Sequence, residues 1–154
     1  MRFKLKHILV LFFLFAAALA NAQASKVVSW KYEIRKTTDH EYDLVFKALI
    51  SADTHVYSQF IGDGGPIPTS FSFNKNDNYT LVDSVVEKSK PIKVHDKMFD
   101  MDLLYFEDSA LFVQHIKVVK PVDNITGSLK FMACQKNVCF PPSTLDFLFM
   151  IPKK

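Results

Sequence analysis

Apolar and polar residues alternate along most of the chain beyond residue 26, with a period of two. Val27 to Ile34 alternates in this way, and Glu41 to Ile50 puts Tyr42, Leu44, Phe46 and Ala48 on one face. His55 to Phe60, Thr69 to Asn74 and Tyr79 to Glu87 follow. Leu103 to Phe106 and Ala110 to Val119 read as a hairpin around Glu107-Asp108-Ser109, and Thr126 to Ala133 and Thr144 to Ile151 complete the series. Period-two alternation enriched in β-branched and aromatic residues predicts half-buried strands. Turn residues separate the runs, at Thr37-Thr38-Asp39, Gly62-Asp63-Gly64-Gly65-Pro66, Asn74 to Asn78 and Pro121-Val122-Asp123-Asn124. No stretch beyond residue 22 carries a helical period. The expected architecture is all-β, an antiparallel sandwich of immunoglobulin-like type, in one domain.

The first 22 residues break the pattern. Arg2, Lys4 and Lys6 precede an unbroken apolar run from Ile8 to Leu19, and Ala20-Asn21-Ala22 follows. A basic segment, a short apolar core and an A-x-A site predict a secretory signal peptide over residues 1–22, leaving a domain over 23–154. The alternative is an uncleaved anchor, but the run is shorter than the ~20 residues a span needs. The expected location is periplasmic or secreted.

The leader changes the reading of charge. The whole chain carries a formal net charge of +3, from 19 Lys+Arg against 16 Asp+Glu. Three of those basic residues lie in the leader, so the remainder is nearly neutral, with Arg35 as its one arginine. A nucleic-acid binder needs a basic stripe, and this composition argues against one. The 15 phenylalanines and Trp30 are enough to build a core without covalent help.

That bears on the two cysteines, Cys134 and Cys139, four residues apart in Phe131-Met132-Ala133-Cys134-Gln135-Lys136-Asn137-Val138-Cys139-Phe140-Pro141-Pro142. In an oxidising compartment a disulfide is their default state. One reading is a structural bridge, worth about 2 kcal/mol for so short a loop. The other is a redox pair, since short local bridges are readily strained and reducible. Spacing alone leaves both open. A metal site is disfavoured, because two thiolates need two further ligands and His95 and His115 lie far away in sequence. Pro141-Pro142 predicts a rigid corner just after the second cysteine. Lys136 is the loop's own charge, either favouring a thiolate or simply solvated. No G-x-S-x-G elbow suggests a hydrolase.

The run from Ala133 to Pro142 resembles the cysteine motif of the N-terminal periplasmic domain of the thiol:disulfide interchange protein DsbD. An upstream block agrees, in His55-Val56-Tyr57-Ser58-Gln59 followed by Gly64-Gly65-Pro66-Ile67-Pro68-Thr69-Ser70-Phe71. The resemblance covers essentially everything beyond the leader. It implies an immunoglobulin-like fold with Cys134 and Cys139 as redox cysteines, acting as a protein-disulfide reductase without metal, flavin or nucleotide cofactor. It implies electron donors among thioredoxin-like proteins and a membrane electron transporter. It implies recipients among exported disulfide-containing proteins, including disulfide isomerases and the cytochrome c maturation apparatus. It also implies a cap loop, matched by Val94 to Asp102, with Met98 and Phe99 as covering side chains, where the plain alternative is an ordinary loop. Tyr57 matches a position beside the cysteines, where the alternative is core packing. By the same analogy Cys139 attacks and Cys134 resolves.

Two departures stand out. The familiar form of this domain has one more residue between its cysteines. The full transporter continues into a membrane domain and a thioredoxin-like domain, whereas this chain ends at Lys154, so a free-standing carrier fed by separate proteins, or a reused module with another task, is expected. The rival from another class is an immunoglobulin-like binding module whose disulfide is structural. A third reading is a component of a secretion or surface complex.

Overall fold

In the computed structural model, residues 27–136 and 138–152 are described. The predicted leader, residues 1–22, lies outside them. The strands are β1 (Val28–Lys36), β2 (Glu41–Ile50), β3 (Thr54–Tyr57), β4 (Ser70–Phe73), β5 (Tyr79–Glu87) and β6 (Ile92–Asp96). They continue with β7 (Met101–Phe106), β8 (Ser109–Val118), β9 (Asn124–Phe131), β10 (Ala133–Gln135), β11 (Val138–Cys139) and β12 (Ser143–Met150). They form three antiparallel sheets, ordered β1-β2-β8-β5, β12-β9-β4 and β11-β10-β3-β7-β6. The expected immunoglobulin-like β-sandwich is what the chain adopts. Among the described residues no helix is long and apolar enough to cross a membrane.

Alternation explains how the first two sheets stack. Tyr32, Phe46 and Phe112 face inward from the first sheet. Phe71 and Phe73 of β4, Phe131 of β9 and Phe147 and Phe149 of β12 face them from the second. Phe46 sits centrally, with ring centroids at 4.7 Å from Phe71, 4.9 Å from Phe147 and 5.1 Å from Phe149. Edge-to-face and tilted pairs at such distances add about 0.5–1.5 kcal/mol each beyond the area they bury. Gly127 makes this closeness possible. A Cβ there would collide with the Ser72 carbonyl and the Phe147 ring.

Two expectations change. Leu103–Phe106 and Ala110–Val119 do not form a hairpin. β7 joins the third sheet beside β3 and β6, while β8 joins the first between β2 and β5. Asp108 makes the switch with a φ of 58°, in the left-handed region that aspartate tolerates, and its carbonyl accepts from the Ile50 amide at 2.8 Å. The run from Thr126 to Ala133 is likewise divided at Met132, with β9 in the second sheet and β10 in the third. Beyond Met132 the β9–β12 pair continues as the small β10–β11 hairpin. The chain returns at Pro141-Pro142, whose missing amide protons end the ladder.

Candidate functional site around the cysteine pair

The third sheet has two faces with different duties. Val56 of β3, Phe106 of β7 and Ala133 of β10 are opposite one another in register and all belong to the main core. Their neighbours must point the other way. His55 lies opposite Cys134, Cys134 opposite Cys139, and Tyr57 opposite Tyr105. This outer face gathers a second, smaller cluster of Tyr57, Leu103 and Cys134, with Ile61, Phe99, Met101, Tyr105, Met132 and Cys139 against it.

Cys134 and Cys139 are joined as a disulfide across the β10–β11 hairpin. Lys136 sits in the connecting turn with a φ of 54°, and its amide donates to the Asp53 carbonyl at 2.9 Å. Its exposed ammonium lies 3.8 Å from the Asp53 carboxylate. The two sulfurs are unequal. Cys134 is 1% exposed, whereas Cys139 is only partly buried, beside the exposed Val138.

The Tyr57 hydroxyl lies 3.1 Å from Cys134 Sγ and 3.9 Å from Cys139 Sγ. His55 Nε2 is 3.2 Å from the same hydroxyl, and the imidazole lies against Tyr105 with ring centroids 4.6 Å apart. Burial pushes the Tyr57 hydroxyl up to about 12, with Asp96 and Tyr105 adding to the effect. Burial holds the His55 imidazole below its ordinary value, against the opposing pull of Asp96 and Glu107. The backbone of Tyr57 is pinned by Thr69, whose hydroxyl donates to the Tyr57 carbonyl at 2.6 Å.

The segment Val94 to Asp102 forms a β-hairpin, built from the end of β6, a turn and the start of β7. Asp96 organises the turn by accepting from the amides of Met98 at 2.7 Å and Phe99 at 3.2 Å. Phe99 packs against the cysteine cluster, whereas Met98 is 61% exposed. On the far side the glycine turn closes over Met101, where a Cβ at Gly65 would come within 2.9 Å of its sulfur.

The structure thus brings Cys134, Cys139, Tyr57 and Phe99 into one cluster and leaves Met98 at the surface. His55, Thr69, Tyr105 and Asp96 were not singled out as individual site residues in the sequence. The detectable signal was that His55 and Tyr57 share one face of a predicted strand. Among the described residues, no group of three or more His, Cys, Asp and Glu side chains is placed to hold a metal ion.

A family model described as thiol:disulfide interchange protein DsbD, N-terminal, matches residues 20–150. No curated protein sequence matches the chain. The solved structures that share the fold include two N-terminal domains. The N-terminal periplasmic domain of ScsB from Proteus mirabilis aligns with a TM-score of 0.57 and 14% identity, over 78% of this chain and 45% of that one. The N-terminal domain of DsbD from Neisseria meningitidis, in the reduced form, aligns with a TM-score of 0.55 and 17% identity, over 84% and 89%. The chain therefore spans less than half of the ScsB chain that it matches.

Proposed function

This chain belongs to the DsbD N-terminal family, and on that premise we propose that it is a thiol–disulfide exchange domain working through Cys134 and Cys139. It takes reducing equivalents from a thioredoxin-like protein or a membrane electron transporter and passes them to disulfides of exported proteins. Its place of action is the periplasm, reached by way of the leader over residues 1–22.

The observation that carries this reading is the position of the disulfide. It bridges a short hairpin on the outer face of the third sheet, away from the aromatic core, with Cys134 enclosed and Cys139 partly open. A bridge that closes so small a loop adds about 2 kcal/mol, and the sandwich core does not depend on it. An asymmetric pair suits two-step exchange. Cys139, the accessible thiol, attacks a partner disulfide and forms a mixed disulfide, and one partner sulfur leaves as a thiolate. Cys134 then attacks Cys139 Sγ, the intramolecular bridge forms, and the second partner sulfur leaves. The partner gains two electrons and the pair loses two. Phe99, on the hairpin tip, covers the pair between encounters, and Met98 offers an apolar contact to an arriving partner.

The experiment is trapping. A Cys134→Ser variant, expressed with its leader, should accumulate mixed disulfides with exported proteins that dithiothreitol dissolves. Stable partners that ignore cysteine substitution would favour a binding module instead.

A further inference from the structure

Two-step exchange leaves one chemical demand unmet. Cys134 is 1% exposed, and it must become a thiolate before it can attack. Burial in an apolar cluster disfavours the charged form, and bulk water has little access to this sulfur. Among the described residues, the polar side chain at hydrogen-bond distance from it is Tyr57, and beyond Tyr57 stands His55.

We propose that His55 is a positioning residue for the resolving step, accepting through Tyr57 the proton that Cys134 must lose. The proposal rests on the exchange reading above and adds the route by which its enclosed cysteine is activated. In the mixed disulfide, the Cys134 thiol proton passes to Tyr57 Oη as the Tyr57 hydroxyl proton passes to His55 Nε2. One proton thus moves from sulfur to imidazole, and Tyr57 ends as it began. The thiolate attacks Cys139 Sγ and the Cys134–Cys139 bond forms. The bond from Cys139 to the partner breaks, and the partner sulfur leaves with the electron pair and is protonated by solvent. His55 then returns its proton to water. Reduction of the pair by a donor runs the same steps backwards.

The geometry favours this order of groups. His55 and Cys134 are register partners on adjacent strands, and Tyr57 is two residues from His55 on the same face. A hydroxyl that ionises only at about 12 is a poor base by itself, so the proton has to move on. The groups facing His55 are Tyr57 from its own strand, Tyr105 from β7 and Cys134 from β10. The carboxylates of Asp96, at the end of β6, and Glu107, just after β7, act on it electrostatically. Desolvation outweighs those carboxylates, which keeps the imidazole neutral and able to accept near pH 7.

The test uses fully reduced protein mixed rapidly with dithiobis(nitrobenzoate). Attack by the first cysteine releases one thionitrobenzoate, and resolution by the second releases another, so the two phases separate the steps. In His55→Gln, which can still hydrogen-bond but does not titrate, the ratio of second- to first-phase rates should fall about a hundredfold near neutral pH, at the lower end of what general-base assistance supplies. The unmutated second phase should rise with pH as His55 loses its proton, below the ordinary histidine value. In the variant it should rise only with a thiol titration, at about 8.5 or above. Tyr57→Phe should give the same loss, and the double variant no further loss, because the two side chains act in series. An unchanged ratio and pH profile in a folded His55→Gln would overturn the relay. Should that variant fail to fold, Tyr57→Phe decides by the same criteria. If the unmutated protein releases only the first thionitrobenzoate, the exchange reading itself fails and the relay falls with it.

Discussion

The Tyr57 hydroxyl lies 3.1 Å from the Sγ of Cys134, 77 residues away in sequence. Strand pairing creates the contact. β10 lies beside β3, and β3 turns Tyr57 to the same face as the enclosed sulfur. On the exchange reading proposed above, this hydroxyl stabilises a thiolate in the reduced protein. Hydrogen bonds to charged groups are worth about 1.5–3 kcal/mol, and 1.36 kcal/mol corresponds to one pKa unit. Tyr57→Phe should therefore raise the Cys134 thiol pKa by about one unit or more, read from thiolate absorbance against pH in a Cys139→Ser background. An unchanged titration would remove the hydroxyl from the chemistry.

Phe99 and Met98 provide a paired comparison at the hairpin tip. Phe99 packs on the cysteine cluster and Met98 is exposed. Phe99→Ala should speed reduction of the disulfide by a small thiol several-fold and cost roughly 1–2 kcal/mol, less than a fully buried phenylalanine. Met98→Ala should leave stability within about 0.5 kcal/mol. Equal reduction rates for Phe99→Ala and the unmutated protein would mean that Phe99 does not shield the pair.

Reduction of the pair should leave the sandwich folded. The loop closed by the bridge is short, so its loss should cost about 2 kcal/mol. The reduced protein should keep its strand circular dichroism and melt several degrees lower. Global unfolding on reduction would identify the disulfide as structural.

Burial of His55 and Tyr57 predicts opposite pH effects on stability. The folded His55 holds its proton less tightly than an unfolded histidine. Stability should therefore fall as pH drops below about 6.5, where the unfolded chain takes up the proton first. Tyr57 ionises at about 12 in the fold, against 10.0 ordinarily, so stability should fall as pH rises from 10.0 toward 12. Urea midpoints across pH check both. His55→Gln should flatten the acid side and Tyr57→Phe the alkaline side.

Gly127 is a test of the core. It lies opposite Phe147 on one side and Phe73 on the other, with no room for a Cβ. Gly127→Ala should destabilise by about 1–3 kcal/mol through overpacking, measured by chemical denaturation.

The long strands were legible because their alternation is strong. β2 carries Tyr42, Leu44, Phe46 and Ala48 on one face, and all four are buried. The short ones were not. β6 follows Pro91 and mixes Ile92 and Val94 with Lys93, His95 and Asp96, so the stretch from Val94 read as a loop. β10 and β11 have three and two residues, too few to display a period. Sheet membership was also out of reach. Leu103–Phe106 and Ala110–Val119 look like a hairpin locally, and their separation depends on where Phe106 and Phe112 meet in the core. The importance of Cys134, Cys139 and Tyr57 came from motif resemblance. His55 stands in the upstream block of that resemblance, but nothing there marks it out individually, because the role proposed for it depends on lying opposite Cys134 in a pairing that local sequence does not encode.

The most direct test of the central claim is the reduction potential of the Cys134–Cys139 pair, measured by equilibration with a thioredoxin-type couple. An exchange domain requires a value that carriers can reach, between about −270 and −120 mV. A potential below about −300 mV, in the range of structural disulfides, would contradict the account.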